Sequence, residues 1–240
     1  MGAAKRMNPG GIILAFDCAG AVCSVVLWRQ DGVLARRAHA ARHGQAEILL
    51  PMIEATLGDA AIGYGGLAAI ATTVGPGSFT GLRAGLAAAR GLALATGLKA
   101  VGVSTLAAAA HATALGERRG RTILAAIDSR RTEIFLQAFD QHLAALAAPV
   151  VLTPEDAAAA SPSGALLLAG DGAAPVLAAL QAKGRDAMPA ASAGATDAAV
   201  VAMLAARQLA QSGEPPPLSP LYLRAPDITP QPAGKAAPRR

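Results

Sequence analysis

The chain has 240 residues, of which 53% are apolar and only 3% aromatic, with Trp28 the sole tryptophan. Roughly a quarter of it is alanine, so the apolar character comes from small side chains suited to close helix packing. The net charge of +5 suggests an anionic partner, but charged residues make up 15% and the positive ones are scattered or in short groups such as Arg118-Arg119 and Arg130-Arg131.

Several classes are excluded at once. A membrane span needs about 18 or more unbroken apolar residues. The best candidate, Ala84 to Thr96, is interrupted by Arg90 and flanked by Arg83 and Lys99. Lys5 and Arg6 precede an apolar run, but Asp17 cuts through it, so a secretory signal is not expected. Cys18 and Cys23 alone make neither a disulfide scaffold nor a four-ligand zinc site, which points to a reducing cytoplasm. No basic helix interleaved with aromatics is present, so direct nucleic-acid binding by this chain alone is not expected.

In chain order, residues 1–11 read as a loose polar leader. Ile12 to Phe16 is a short apolar strand ending at Asp17, and a small-residue turn leads to a strand from Val22 to Trp28. Asp31-Gly32 signals a hairpin into a third strand, Val33 to Ala38, which completes an antiparallel meander. A helix is expected from Ala46 to Leu57, with Leu49, Ile53 and Leu57 on one face and Pro51 bending it or lying near its start. Leu67 to Val74 reads as a strand that feeds through Gly75-Pro76-Gly77-Ser78-Phe79-Thr80-Gly81 into a helix from Leu82 to Thr96, stopped by Gly97. Ala100 to Val103 is a strand, and Ser104 caps a short helix.

The second half restarts the pattern. Ile123 to Asp128 echoes Ile13 to Asp17: an apolar strand closed by Asp, then a turn and a strand from Glu133 to Phe139. Thr153-Pro154-Glu155-Asp156 begins a helix, with a cap, Pro in the first turn and acids at the positive end. Leu166 to Ala169 leads through Gly170-Asp171-Gly172 into another helix, and a last helix spans Asp197 to Gln211. From Glu214 onward the chain holds half of its 16 prolines and reads as a docking strap or an irregular tail. The expected organisation is a leader (1–11), a first lobe (12–115), a second lobe (116–213) and a Pro-rich segment (214–240), in a two-lobed α/β fold.

Three constellations could carry chemistry. Gly75, Gly77, Ser78 and Thr80, ahead of a helix N-terminus, could hold an anion, though no Lys-Ser or Lys-Thr of a Walker loop follows; a tight packing turn is the equal alternative. Asp17 and Asp128 at equivalent strand ends, with Gly170 and Gly172, lie where actin-like ATPases place acids near a metal–phosphate; strand capping is the alternative. Gly81, Gly85 and Ala89 form a flat stripe at four-residue spacing, for packing against the sheet or against a second subunit. His39 and His43 stand four apart but lack the Glu of a zinc-protease motif, so no metal site is expected.

Five segments resemble the TsaB (YeaZ) family. They are Ile12 to Trp28 (IILAFDCAGAVCSVVLW), Ala46 to Ile53 (AEILLPMI), Gly75 to Gly91 (GPGSFTGLRAGLAAARG) with Val101 to Leu106, Ile127 to Arg131, and Pro220 to Arg224 (PLYLR). The resemblance implies an actin/hexokinase-like (ASKHA) fold of two ribonuclease-H-like lobes. It implies a non-catalytic subunit that pairs with the catalytic paralogue TsaD, with the ATPase TsaE joining, in forming threonylcarbamoyladenosine beside the tRNA anticodon. It implies pairing through first-lobe helices, self-association through the same helices when alone, contact with tRNA through the complex, and no cofactor of its own. Leu49, Met52, Ile53, Leu57, Gly81, Leu82, Gly85, Leu86 and Ala89 are the interface residues expected on this basis. An ATP- or ADP-binding cleft between the lobes, as in an actin-like phosphotransferase, is the competing expectation. The first turn departs from the family's Asp-Thr-Ser or Asp-Thr-Ala by reading Asp17-Cys18-Ala19, which counts against nucleotide binding. Gln45 stands where many members carry His.

Overall fold

The computed structural model describes residues 11–40, 44–192, 194, 196–211 and 218–224. Two five-stranded sheets carry the fold. The first is built from β1 (Ile12–Asp17), β2 (Val22–Arg29), β3 (Gly32–Ala40), β4 (Leu67–Gly75) and β5 (Lys99–Ser104), in the order β3-β2-β1-β4-β5. The second holds β6 (Thr122–Asp128), β7 (Ile134–Phe139), β8 (Val150–Leu152), β9 (Leu166–Ala169) and β10 (Ala187–Pro189), in the order β10-β9-β6-β7-β8. Read from the meander side, the two orders are the same. In each, three consecutive strands pair antiparallel and the fourth joins the first in parallel. The echo between Ile13–Asp17 and Ile123–Asp128 is thus a repeat of topology, and Asp17 and Asp128 end equivalent central strands.

Both central strands are buried on both faces, which is why they read as unbroken apolar runs rather than alternating ones. Helices cover those faces. On one side of the first sheet lie α1 (Gln45–Asp59) and α2 (Phe79–Thr96), packing Leu49, Ile53, Leu57 and Ala89 against Leu14, Phe16, Leu27 and Ile70. Helix α1 runs through Pro51, which is exposed and removes one backbone bond without ending the helix. Between the sheets lies α3 (Thr105–His111), capped by Ser104, followed by the single turn α4 (Leu115–Arg118). Helices α5 (Pro154–Ala160) and α6 (Ala173–Ala182) cover the outer face of the second sheet.

The division at residues 115 and 116 needs correction. The last helix, α7 (Ala198–Ala210), follows the second sheet in sequence but packs Val201, Ala202 and Ala205 onto Ile13, Ala15, Val26 and Val101 of the first. Conversely, α3 follows the first sheet and gives Leu106, Ala109 and Ala110 to the second core. Each lobe therefore completes its sandwich with a helix from the other half of the chain. Of the Pro-rich segment, residues 218–224 are a strap across both lobes; the leader, apart from Gly11, lies outside the described residues.

Candidate functional site

The nine expected interface residues divide sharply. Leu49, Ile53, Leu57, Gly81, Leu82, Gly85, Leu86 and Ala89 are all buried within the lobe, and Met52 alone is half-buried. A Cβ on Gly81 would collide with the carbonyl oxygen of Cys18, and one on Gly85 would come within 3.0 Å of Thr72 Oγ1. The Gly81/Gly85/Ala89 stripe is therefore the surface by which α2 lies against its own sheet and first turn, and is closed to a partner. A second row of small residues faces outward. Ala84, Ala87, Ala88 and Gly91 of α2 oppose Ala46 and Leu50 of α1 across a groove of about 450 Å³, floored by Leu49 and Leu92. Leu50 is 49% exposed. A sequence signal for this face existed: Ile48-Leu49-Leu50 are consecutive, so on a helix they cannot all point at one core.

The glycine loop after β4 is also used internally. Ser78 N–H donates to Ala19 O at 2.7 Å, and the Ser78 hydroxyl caps α2 by accepting from Gly81 N–H at 3.3 Å. Gly77 lies so close to Ala19 that a Cβ would meet its carbonyl at 2.7 Å. Gly75 has φ of +109° beneath the strap, and Thr80 is exposed. The second lobe repeats the joint: Gly172 N–H donates to Ala126 O at 3.0 Å, and a side chain at Gly170 would strike the same carbonyl. In both lobes the glycines let a strand-to-helix turn pack on the central strand's end, and the amides an anion would need at Ser78, Gly81 and Gly172 already have carbonyl or hydroxyl partners.

The acids meet in the cleft. Asp17 is fully buried; its Oδ1 accepts from Ala19 N–H at 3.0 Å and from Thr73 Oγ1 at 2.5 Å, while Oδ2 has no hydrogen-bond partner among the described residues. Burial pushes its pKa up to about 6, the two hydrogen bonds oppose that, and the charge of Asp171 adds to it. Asp171, from the Gly170-Asp171-Gly172 turn, accepts from Asp128 N–H at 2.9 Å and lies 3.6 Å from where a Gly20 Cβ would be. Its pKa is also raised by burial. Asp128 binds Arg130, through its backbone N–H at 2.7 Å and its guanidinium at 3.5 Å. Among the described residues no group of three or more His, Cys, Asp or Glu is placed to hold a metal ion. His39 is exposed on β3, and His43 lies outside the described residues.

Residues 218–224 tie the cleft's two sides together. The strap runs antiparallel to α2: Leu218 O accepts from Arg90 at 2.5 Å, Leu221 N–H donates to Val74 O at 2.7 Å, and Tyr222 Oη accepts from Arg83 at 3.3 Å. The Arg83 guanidinium also lies 3.6 Å over the Phe79 ring. Leu218 packs into the first core and Leu223 into the second, and Arg224 closes on Glu133 at 2.6 Å. The Pro-Leu-Tyr-Leu-Arg motif thus reads as an inter-lobe clasp.

Two ribonuclease-H-like sheets with acids at paired strand ends define the actin/hexokinase-like class. A family model described as "TsaD: tRNA N6-adenosine threonylcarbamoyltransferase" matches residues 29–206. The tRNA threonylcarbamoyladenosine biosynthesis protein TsaB of Escherichia coli is 39% identical over 124 residues, which is 51% of this chain and 52% of that protein. The match thus spans about half the length of that curated relative. An uncharacterized protein of Mycobacterium tuberculosis is 35% identical over 91% of this chain and 94% of its own length. The solved structure of YeaZ from Pseudomonas aeruginosa superposes with a TM-score of 0.72 at 28% identity, over 89% of this chain and 100% of that one. The chain belongs to the TsaB (YeaZ) family, and its domain is the one the TsaD model describes.

Proposed function

We propose that this chain is a non-catalytic, activating subunit in the formation of threonylcarbamoyladenosine on tRNA, and that it pairs with the catalytic paralogue TsaD through the outer face of α1 and α2. The observation that carries this is the groove between the two helices. Apolar small residues line it, Leu50 stands exposed at its edge, and helices of a second subunit can approach closely over Ala84, Ala87, Ala88 and Gly91. The same face serves self-association when TsaD is absent. TsaE joins the assembled pair, tRNA is met through the complex, and the setting is the cytoplasm; no helix among the described residues is long and apolar enough to cross a membrane.

Chemistry by this chain itself is not part of the reading. The turn amides at Ser78, Gly81 and Gly172 are hydrogen-bonded within the chain, and the first turn carries Cys18-Ala19-Gly20 in place of hydroxyls. The test is co-expression with TsaD followed by size exclusion at micromolar concentration. A stable heterodimer is expected, and separate migration sinks the reading. Calorimetry with ATP and magnesium on the isolated chain is expected to show no tight binding; tight binding with turnover would favour an actin-like ATPase instead.

A further inference from the structure

Cys18 and Cys23 take no part in the pairing face, yet the fold brings them together. Strands β1 and β2 pair antiparallel with Asp17 opposite Ser24, and one step further in that register puts Cys18 opposite Cys23. Directly opposed residues of an antiparallel pair have Cα atoms about 4.5–5.5 Å apart, inside the window of about 4.4–6.8 Å that a disulfide spans. The two sulfurs lie 2.8 Å apart, with both residues buried at the end of the hairpin.

We propose that Cys18 and Cys23 are a disulfide-forming pair, a redox modification site in the turn on which α2 begins. The oxidant class is a peroxide. Cys23, whose pKa the hydrogen bond from Cys18 pulls down, attacks a peroxide oxygen; the O–O bond breaks, Cys23 becomes a sulfenic acid and one water leaves. The Cys18 sulfur then attacks the Cys23 sulfur, the S–O bond breaks, the S–S bond forms and the second water leaves. Two thiols and one hydrogen peroxide thus give one disulfide and two waters. Both thiols are buried, so the reaction requires the half-buried turn residues Gly20 and Ala21 to open and admit the peroxide.

The consequence falls on α2. The carbonyl of Cys18 packs against Gly81, and that of Ala19 accepts from Ser78 N–H. A disulfide closing the turn's ends holds both carbonyls in place and stiffens the helix start.

The test uses the folded full-length chain, reduced and then exposed to hydrogen peroxide. It is alkylated in denaturant without reductant and mapped by mass spectrometry. The expected product has lost two hydrogens, carries a Cys18–Cys23 linked peptide and takes no alkyl label. Amide exchange at Ser78 to Leu82 is expected to slow severalfold against the reduced chain. Cys18→Ser should abolish the linked species and leave Cys23 as a sulfenic acid or a free thiol. Full alkylation of both cysteines after peroxide, or linkage that forms only in unfolded protein, would overturn the site. Linkage with unchanged exchange would overturn its coupling to α2.

Discussion

On α2, Gly81, Gly85 and Ala89 lie against the first sheet and its turn, while Ala84, Ala87, Ala88 and Gly91 line an outer groove. Both rows are made of the same residue types at spacings of three or four. The inner row works because a side chain would hit backbone, at the Cys18 carbonyl beneath Gly81. The outer row leaves space, about 450 Å³ of it, beside an exposed Leu50. Smallness on one face closes a fold, and on the other it leaves room for a second protein. The difference lies in what stands opposite.

The largest effect should come from breaking the inner row. Gly81→Val places a branched side chain into the Cys18 carbonyl, and the expected cost exceeds about 3 kcal/mol, enough to remove the cooperative melt and most soluble yield. Gly85→Leu, which crowds Thr72, should destabilise in the same sense, read by the shift in urea midpoint. If either variant melts like the parent, the inner row has been misplaced.

Asp17 probes the turn beneath that row through pH. Its carboxyl is pushed up to about 6 from an ordinary 3.8, mainly by burial. Because the folded value is the higher, the protonated form is the one the fold favours. Stability is fully present below about pH 4 and is lost as pH rises through about 6, by on the order of 2–3 kcal/mol. Asp17→Asn keeps the acceptor for Ala19 and Thr73 and should flatten that slope; chemical denaturation from pH 4 to 7 on both proteins reads it out.

The outer row should behave oppositely to the inner. Leu50→Asp and Ala88→Leu are expected to leave stability within about 0.5 kcal/mol. They should weaken pairing with TsaD tenfold or more, a change of about 1.4 kcal/mol, measured by titration calorimetry. Unchanged affinity in both variants would place the partner elsewhere. The smallest effect is expected at the strap. Arg224→Ala loses a solvent-screened pair with Glu133 and should move the urea midpoint only slightly, and Glu133→Ala in the same background should then cost almost nothing more.

Much of the fold was legible because burial on both faces writes itself as unbroken apolar runs. Ile13–Asp17 and Ile123–Asp128 could be matched from sequence for that reason, and the sheet orders agree. The swap of α3 and α7 between lobes was not legible. Ala-rich helices fit either sheet, and nothing local to Ala198–Ala210 names its partner. The meeting of Asp171 with Gly20 and Asp128 is not legible in the sequence, because it joins positions far apart along the chain.

The two-lobed repeat, the helix caps at Ser104 and Thr153 and the family resemblance are legible in the residues alone, whereas the caps at Ser78 and Asp197 emerge from the structure. Which row of α2 faces inward, the use of the glycine turns as packing joints and the opposition of Cys18 and Cys23 follow from the folded arrangement. The physical reason is common to all three. A small side chain carries almost no information about its surroundings, so Gly, Ala and Cys take their meaning from what the fold sets against them.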